Sequence, residues 1–241
     1  MQHIDYLNLK DINSPLQQDI LDAIHQVVES GWYLQGKANQ QFAEAYAQYI
    51  GTQYCIPCGN GLDALKLMLR GEMELGRLHE GDEIVISVAE HHSNLVPWQR
   101  VAEATGAKLV YMYPGPDGRL TPDELDKKIT EKTKLVGIAM VSNVLGLRAP
   151  VEEIVKRAHA VGAVVVLDCA QSAPHTPVDV KKLDVDFAAC SAHKLYAPMG
   201  MGALYARAEL LDKMPPFMSG GDMIGAVHEH KATWAEGPRK F

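Results

Sequence analysis

Residues 185–205, VDFAACSAHKLYAPMGMGALY, are the stretch from which the fold and the chemistry of this chain are read. An apolar run ends in Ser191-Ala192-His193-Lys194, and the chain then turns through a loop holding Pro198 and Gly200 into a second apolar run. A lysine held between a strand end and a tight loop is readily desolvated. Desolvation disfavours the ammonium form and so supplies the neutral amine that a Schiff base requires. For a lysine met alone, the alternative is a surface side chain beside a loop histidine. The rest of the chain decides between the two.

Outward from that stretch, residues 82–167 alternate apolar runs with amphipathic segments. Strands are expected at 83–88, 108–112, 134–140 and 163–167, and helices at 96–105, 122–129 and 150–161. The strand segments are near-continuous apolar runs, the pattern of a sheet covered by helices on both faces. Repeated strand–helix units imply an α/β fold with a three-layer α/β/α arrangement, a mostly parallel sheet and right-handed crossovers. Ligands of such sheets collect at the carboxyl ends of the strands. Those ends carry polar residues throughout: Glu90-His91-His92-Ser93-Asn94, Ser142-Asn143, Asp168-Cys169-Ala170-Gln171 and Ser191-Ala192-His193-Lys194. Residues 207–214 read as a short helix, 215–225 as a Pro/Gly-rich loop, and the remainder shows no clear periodicity.

On the N-terminal side, residues 14–30 predict an amphipathic helix. Ser14 can cap it, Pro15 suits its first turn, and Leu16, Ile20, Ala23, Ile24, Val27 and Val28 share a face. Gly31 ends it, and Trp32-Tyr33-Leu34 follow as a bulky cluster, either core or subunit contact. A second helix is expected at 38–49 and a short strand at 53–58. Gly59-Asn60-Gly61-Leu62-Asp63 then opens a helix over 64–70. A Gly-rich turn at a helix start presents unpaired backbone N–H groups and the positive end of the helix dipole, the outline of a phosphate cradle. By itself such a turn can equally be a plain connection.

The 241 residues suffice for one large domain or two small ones, and 47% hydrophobic with 22% charged residues is a globular balance. A net charge of −7 without a Lys/Arg run argues against nucleic-acid and membrane-surface partners. No apolar stretch approaches the ~18–20 residues of a membrane span. The first residues, MQHIDYLNLKD, lack the layout of a signal peptide, so a cytoplasmic setting is expected. Cys55, Cys58, Cys169 and Cys190 do not suggest a disulfide framework. The C-x-x-C pair has no second Cys or His pair to complete a zinc site, and Pro57 with apolar neighbours makes Cys55 and Cys58 buried structural thiols rather than a redox pair.

Asp168 follows Val164-Val165-Val166-Leu167, which places its carboxylate at the mouth of a central strand. A helix cap or turn is the ordinary fate of such an Asp. Its functional alternative is to pair with a pyridinium nitrogen and hold it protonated, which makes the ring an electron sink. Lys194 for an aldehyde, Asp168 for a ring nitrogen and a Gly-rich helix start for a phosphate together suit pyridoxal 5′-phosphate (PLP).

From about residue 81 onward the motifs EHHSNLVPWQ, VSNVLG, LDCAQSAPH, SAHKLYAP and GGDMI resemble a Suf-type cysteine desulfurase/selenocysteine lyase, a fold-type I PLP enzyme. The resemblance implies that Lys194 is the Schiff-base lysine and that His91 stacks on the cofactor ring and shuttles protons. It implies that Asp168 binds the pyridine nitrogen, that Asn143 and Gln171 lie near the ring hydroxyl, and that Ser191 and His193 reach the phosphate. Residues 1–80, through IDYLNLKDIN, SGWYLQG and CGNGLDALKLML, instead resemble a DegT-like sugar-nucleotide aminotransferase. Both families hold phosphate on the turn carried here by Gly61, Leu62 and Asp63. A desulfurase would usually place hydroxyl residues there, and a carboxylate beside phosphate repels it unless it turns away to cap the helix. The change near residue 81 suggests a hybrid of two enzymes sharing one fold.

The resemblance also implies an N-terminal helical segment over 1–50 and a PLP-binding large domain over 51–241. It places the sulfur-accepting Cys and the substrate-gripping Arg in a smaller C-terminal domain that is expected to be absent here. A homodimer, an amino-acid substrate and a sulfur-acceptor protein are the implied partners. Three functions are weighed: cysteine desulfuration, amino transfer to a keto-sugar nucleotide, and cofactor binding without turnover. A metal at His91-His92 is disfavoured because adjacent loop histidines rarely converge. His175, His228 and His230 read as solvated, and Asp184 and Asp186 as turn and strand-edge residues.

Overall fold

The apolar runs become strands because alternate residues face opposite sides of the sheet and both sides are covered. The computed structural model describes residues 8–221 and 223–241. Residues 4–7 of the N-terminal motif and Asp222 of GGDMI therefore lie outside the described residues.

In chain order, α1 (Leu9–Asn13) leads through a 3-10 turn into α2 (Gln17–Ser30), and α3 (Lys37–Tyr49) follows. Next come β1 (Ile56–Cys58), α4 (Gly61–Glu74), β2 (Glu83–Ser87), α5 (Val96–Thr105) and β3 (Lys108–Met112). Then follow α6 (Pro122–Lys128), β4 (Thr133–Ala139), α7 (Val151–Ala160), β5 (Val164–Asp168) and α8 (Val180–Leu183). β6 (Phe187–Ser191), β7 (Gly202–Ala206), α9 (Ala208–Lys213) and the hairpin β8 (Ile224–Val227) with β9 (Ala232–Trp234) complete the order. Seven strands form one sheet in the order β1-β7-β6-β5-β4-β2-β3. β3, β2, β4, β5 and β6 pair in parallel, whereas at one edge β7 pairs antiparallel with β6 and β1 antiparallel with β7. The expected mostly parallel sheet is borne out. Pro57, which has no N–H to donate, sits in the edge strand β1, where its loss costs least.

Val85, Val136, Ile138, Val165, Leu167, Ala188 and Cys190 point into one core with α6, α7 and α8. Ile84, Ile86, Leu135, Val166, Phe187 and Ala189 point into the other with α4, α5 and α9. This is the three-layer arrangement. At the lower edge Asp186, read as a strand-edge residue, is buried and accepts from Val165 N–H at 2.7 Å, with Arg207 Nε 2.8 Å away.

Three expectations need correction. α2 begins at Gln17, after a 3-10 turn that holds Ser14 and Pro15, rather than at a Ser14 cap, and it buries none of its residues: Ile24 and Val28 are both more than half exposed. Amphipathic spacing records a surface with an apolar side and says nothing of what covers it. Trp32, Tyr33 and Leu34 are exposed and are not core. Cys58 is half-buried rather than buried, although all four thiols are free.

The close seating of α5 depends on a missing side chain. A Cβ at Gly137 would lie 2.5 Å from Trp98 Cζ2, and Trp98 is fully buried with its Nε1 bonded to Asn94 Oδ1 at 2.9 Å. Gly137→Ala is expected to destabilise the chain by about 1–3 kcal/mol, the usual range for overpacking. Urea unfolding reads this directly, and an unchanged midpoint would show that the indole moves freely.

Candidate active site

The order β4-β2-β3 on one side and β4-β5-β6 on the other puts a topological switch point between β2 and β4. Chains leave the carboxyl ends there in opposite directions and open a crevice. A cavity of about 280 Å³ lies at these ends. It is lined by Gly61, Leu62, His91, Asn143, Asp168, Gln171, Ser191, His193 and Lys194, so nine of the ten expected site residues converge. They are drawn from a span of sequence running from Gly61 to Lys194, and the sheet topology brings them to one edge.

Asp63 is the exception, and it does not line the cavity. Asn60 caps α4: its Oδ1 accepts from Asp63 N–H at 2.9 Å, and its Nδ2 donates to Asp63 Oδ2 at 2.8 Å. The carboxylate is thus turned back onto the cap, and its N–H is spent. Ala64 N–H is likewise taken by Asn60 O. The N–H groups of Gly61 and Leu62 have no partner among the described residues, which leaves two donors at the positive end of a 14-residue helix. Gly202 makes this seat possible, since a Cβ there would lie 2.4 Å from the Asn60 carbonyl carbon. Ser191 Oγ stands 3.0 Å from His193 Nδ1 beside the same end. Burial lowers the His193 pKa, and the Lys194 charge acts the same way, so the ring is held toward its neutral form.

Asp168 is buried at the end of β5, and desolvation raises its pKa. The Ala170 N–H, donating to Oδ1 at 2.8 Å, and the charges of Lys194 and His91 act in the opposite direction. Half-buried Lys194 lies in a 3-10 turn, Ala192–Lys194, directly after β6. His91 Nδ1 accepts from Ser93 N–H at 3.1 Å, which leaves Nε2 to carry the proton of the neutral ring. An anion-binding end, an amine and a buried carboxylate that a cation would relieve form a donor set that fits PLP.

Residue types and spacing did not single out Asn60 or Glu90, although Glu90 stands among the expected strand-end residues. Glu90 is buried: its Oε1 accepts from Ser87 Oγ at 2.6 Å, and its Oε2 from Asn94 Nδ2 and Ala139 N–H, both at 2.7 Å. Desolvation pushes its pKa up to about 7 against the pull of these bonds. A Glu inside a polar strand-end run was the available signal. Its partner 49 residues away was not.

The family model of aminotransferase class V matches residues 34–241. A probable cysteine desulfurase of Streptomyces coelicolor is 51% identical over 165 residues, 68% of this chain and 40% of that protein. The crystal structure of the Escherichia coli cysteine desulfurase CsdA superposes with a TM-score of 0.77 at 38% identity, covering 82% of this chain and 50% of that one. A variant of C-DES carrying glycine covalently linked to its PLP cofactor gives 0.79 at 25% identity, covering 93% and 62%. The chain spans half or less of the length of the first two. The family model crosses the point near residue 81 where a change of resemblance was expected.

The Glu90 shift has a stability consequence. Between about pH 4.5, the ordinary value, and about pH 7 the folded chain keeps a proton on Glu90 that the unfolded chain releases. Stability contributed by that proton is present at low pH and is lost as pH rises through this window. Glu90→Gln is expected to remove this component of the decline, read from urea midpoints across the window. Identical pH slopes in both proteins would place the titration elsewhere.

Proposed function

The chain belongs to the aminotransferase class V family, and from that premise we propose that it is a PLP-dependent enzyme of the cysteine desulfurase type. The observation that carries this reading is the convergence of Lys194, Asp168 and the start of α4 on one cavity. In this reading residues 51–241 are the PLP-binding large domain and residues 1–50 an N-terminal helical segment. The overall conversion takes L-cysteine and an acceptor thiol to alanine and a persulfide. The carbon–sulfur bond breaks, a sulfur–sulfur bond forms, and no outside oxidant is needed.

Lys194 Nζ would hold the cofactor through its aldehyde carbon and, once displaced from that carbon by the substrate amine, would be free to take the substrate Cα proton. Bound PLP supplies a ring that accepts the electron pair left by that proton. Asp168 keeps the ring nitrogen protonated, and its buried setting strengthens that pairing. Gly61 and Leu62 N–H groups, with Ser191 and His193, hold the phosphate. His91 would cover the ring face, and Asn143 and Gln171 would orient the ring hydroxyl. The chain acts as a homodimer on a small amino-acid substrate, passes sulfur to an acceptor protein and works in the cytoplasm. Exposed Trp32, Tyr33 and Leu34 support the dimer. No described helix is long and apolar enough to cross a membrane.

Adding PLP to the wild-type chain is expected to give a visible absorbance band, with borohydride trapping the label on the peptide containing Lys194. Lys194→Ala is expected to abolish the band and leave the circular dichroism of the fold unchanged. A label elsewhere would overturn the lysine assignment. Asp168→Ala is expected to weaken PLP binding about tenfold or more, through the lost charge pair; unaltered affinity would count against its role. Alanine and sulfide released from cysteine, set against glutamate-dependent amino transfer, separates desulfuration from the aminotransferase alternative. Light scattering tests the dimer.

A further inference from the structure

β2 and β4 part company at their carboxyl ends, the last paired residues being Ile86 and Gly137. Two residues further along β4, the Ala139 N–H points at a place where β2 supplies no carbonyl. The Glu90 carboxylate fills that place, accepting from Ala139 N–H through Oε2. The same oxygen accepts from Asn94 Nδ2, and Asn94 N–H donates to the His91 carbonyl at 2.7 Å. His91 is therefore enclosed in a five-residue loop whose two ends, Glu90 and Asn94, are bonded to each other. Asn94 Oδ1 continues the chain of bonds to Trp98, which packs on Gly137 and so returns to β4. Ala139 itself lines the cavity.

We propose that Glu90 is a positioning residue, which ties the diverging ends of β2 and β4 together and thereby fixes His91 over the site. This rests on the reading of the cavity as a PLP site with His91 on the ring. What the role requires is reach more than charge. A glutamine can keep every bond: its carbonyl oxygen takes Asn94 Nδ2 and Ala139 N–H, and its amide donates to Ser87 Oγ. An aspartate keeps the charge but is one methylene short of Ala139. The charged and titratable groups around Glu90 are Asp168 from β5, neighbouring His91, and Arg119 and Arg148, which line a 30 Å³ cavity beside it.

The test pairs Glu90→Gln with Glu90→Asp in the full chain and uses two readouts. Without PLP, hydrogen exchange of the Ala139 amide is expected to stay slow in Glu90→Gln and to quicken about tenfold in Glu90→Asp. With PLP, the circular dichroism induced in the cofactor band and the PLP affinity are expected to match wild type within about threefold in Glu90→Gln. In Glu90→Asp the affinity should fall about tenfold, with a weakened induced signal. The proposal is overturned if Glu90→Asp matches wild type in both readouts, or if Glu90→Gln fails as badly as Glu90→Asp. Should wild type itself bind no PLP, the cofactor reading falls, and the Ala139 exchange rates alone still decide whether Glu90 ties the two strands.

Discussion

Two carboxyl groups withheld from water at the carboxyl ends of β2 and β5, the parallel strands on either side of β4, set the terms for the rest of this structure. Burying an ionisable carboxyl is costly unless donors replace the water it leaves. The protein solves the problem differently for each. Glu90 receives three donors from its own chain, so its needs are met internally. Asp168 receives one, from Ala170, and otherwise faces a cavity. The first carboxyl is committed to structure and the second is left short of partners. A cationic hydrogen-bond donor in the cavity would relieve that shortage.

The same economy governs the backbone around the site. Side chains are omitted at Gly137 and Gly202 where another element must come closer than a Cβ permits. At Gly202 the gain is the seat of α4, and with it the aim of the N–H groups of Gly61 and Leu62. At Gly137 the gain is the seat of Trp98, which anchors Asn94 and through it Glu90. Asp63 shows the local logic in miniature. A carboxylate at a phosphate-binding turn is electrostatically wrong until Asn60 draws it onto the helix cap.

Much of this was legible in the residues. Strands buried on both faces leave unbroken apolar runs, so β2 to β5 and the helices α5 to α7 are placed within a residue or two, whereas the four-residue α8 is too short to leave a pattern. The polar ends of those runs then marked the site, because a parallel sheet offers its ligands few other places. Features with no burial pattern were hidden. The hairpin of β8 and β9 is largely exposed, so its residues carry no alternation to read. α2 announced an apolar face but not its setting. The Asn60–Asp63 cap and the Glu90–Ala139 bond depend on side-chain direction and on contacts between distant segments. Residue type and spacing do not encode either.

The strand order turns this list of residues into a directional argument. Across the sheet from β7 to β2, the cavity meets the N-terminus of α4, then Ser191 at the end of β6 and His193 and Lys194 after it. It next meets Asp168 at β5, Asn143 after β4 and His91 after β2. Anion donors thus come first, an amine follows, and a desolvated carboxylate lies beyond. A free amino acid carries its opposite charges on one carbon and cannot match a pattern spread over several strands. A flat ring with a phosphate on one arm, an aldehyde beside it and a basic nitrogen further round can. The charge order of the cavity therefore suits a ring of that kind better than it suits a free amino acid.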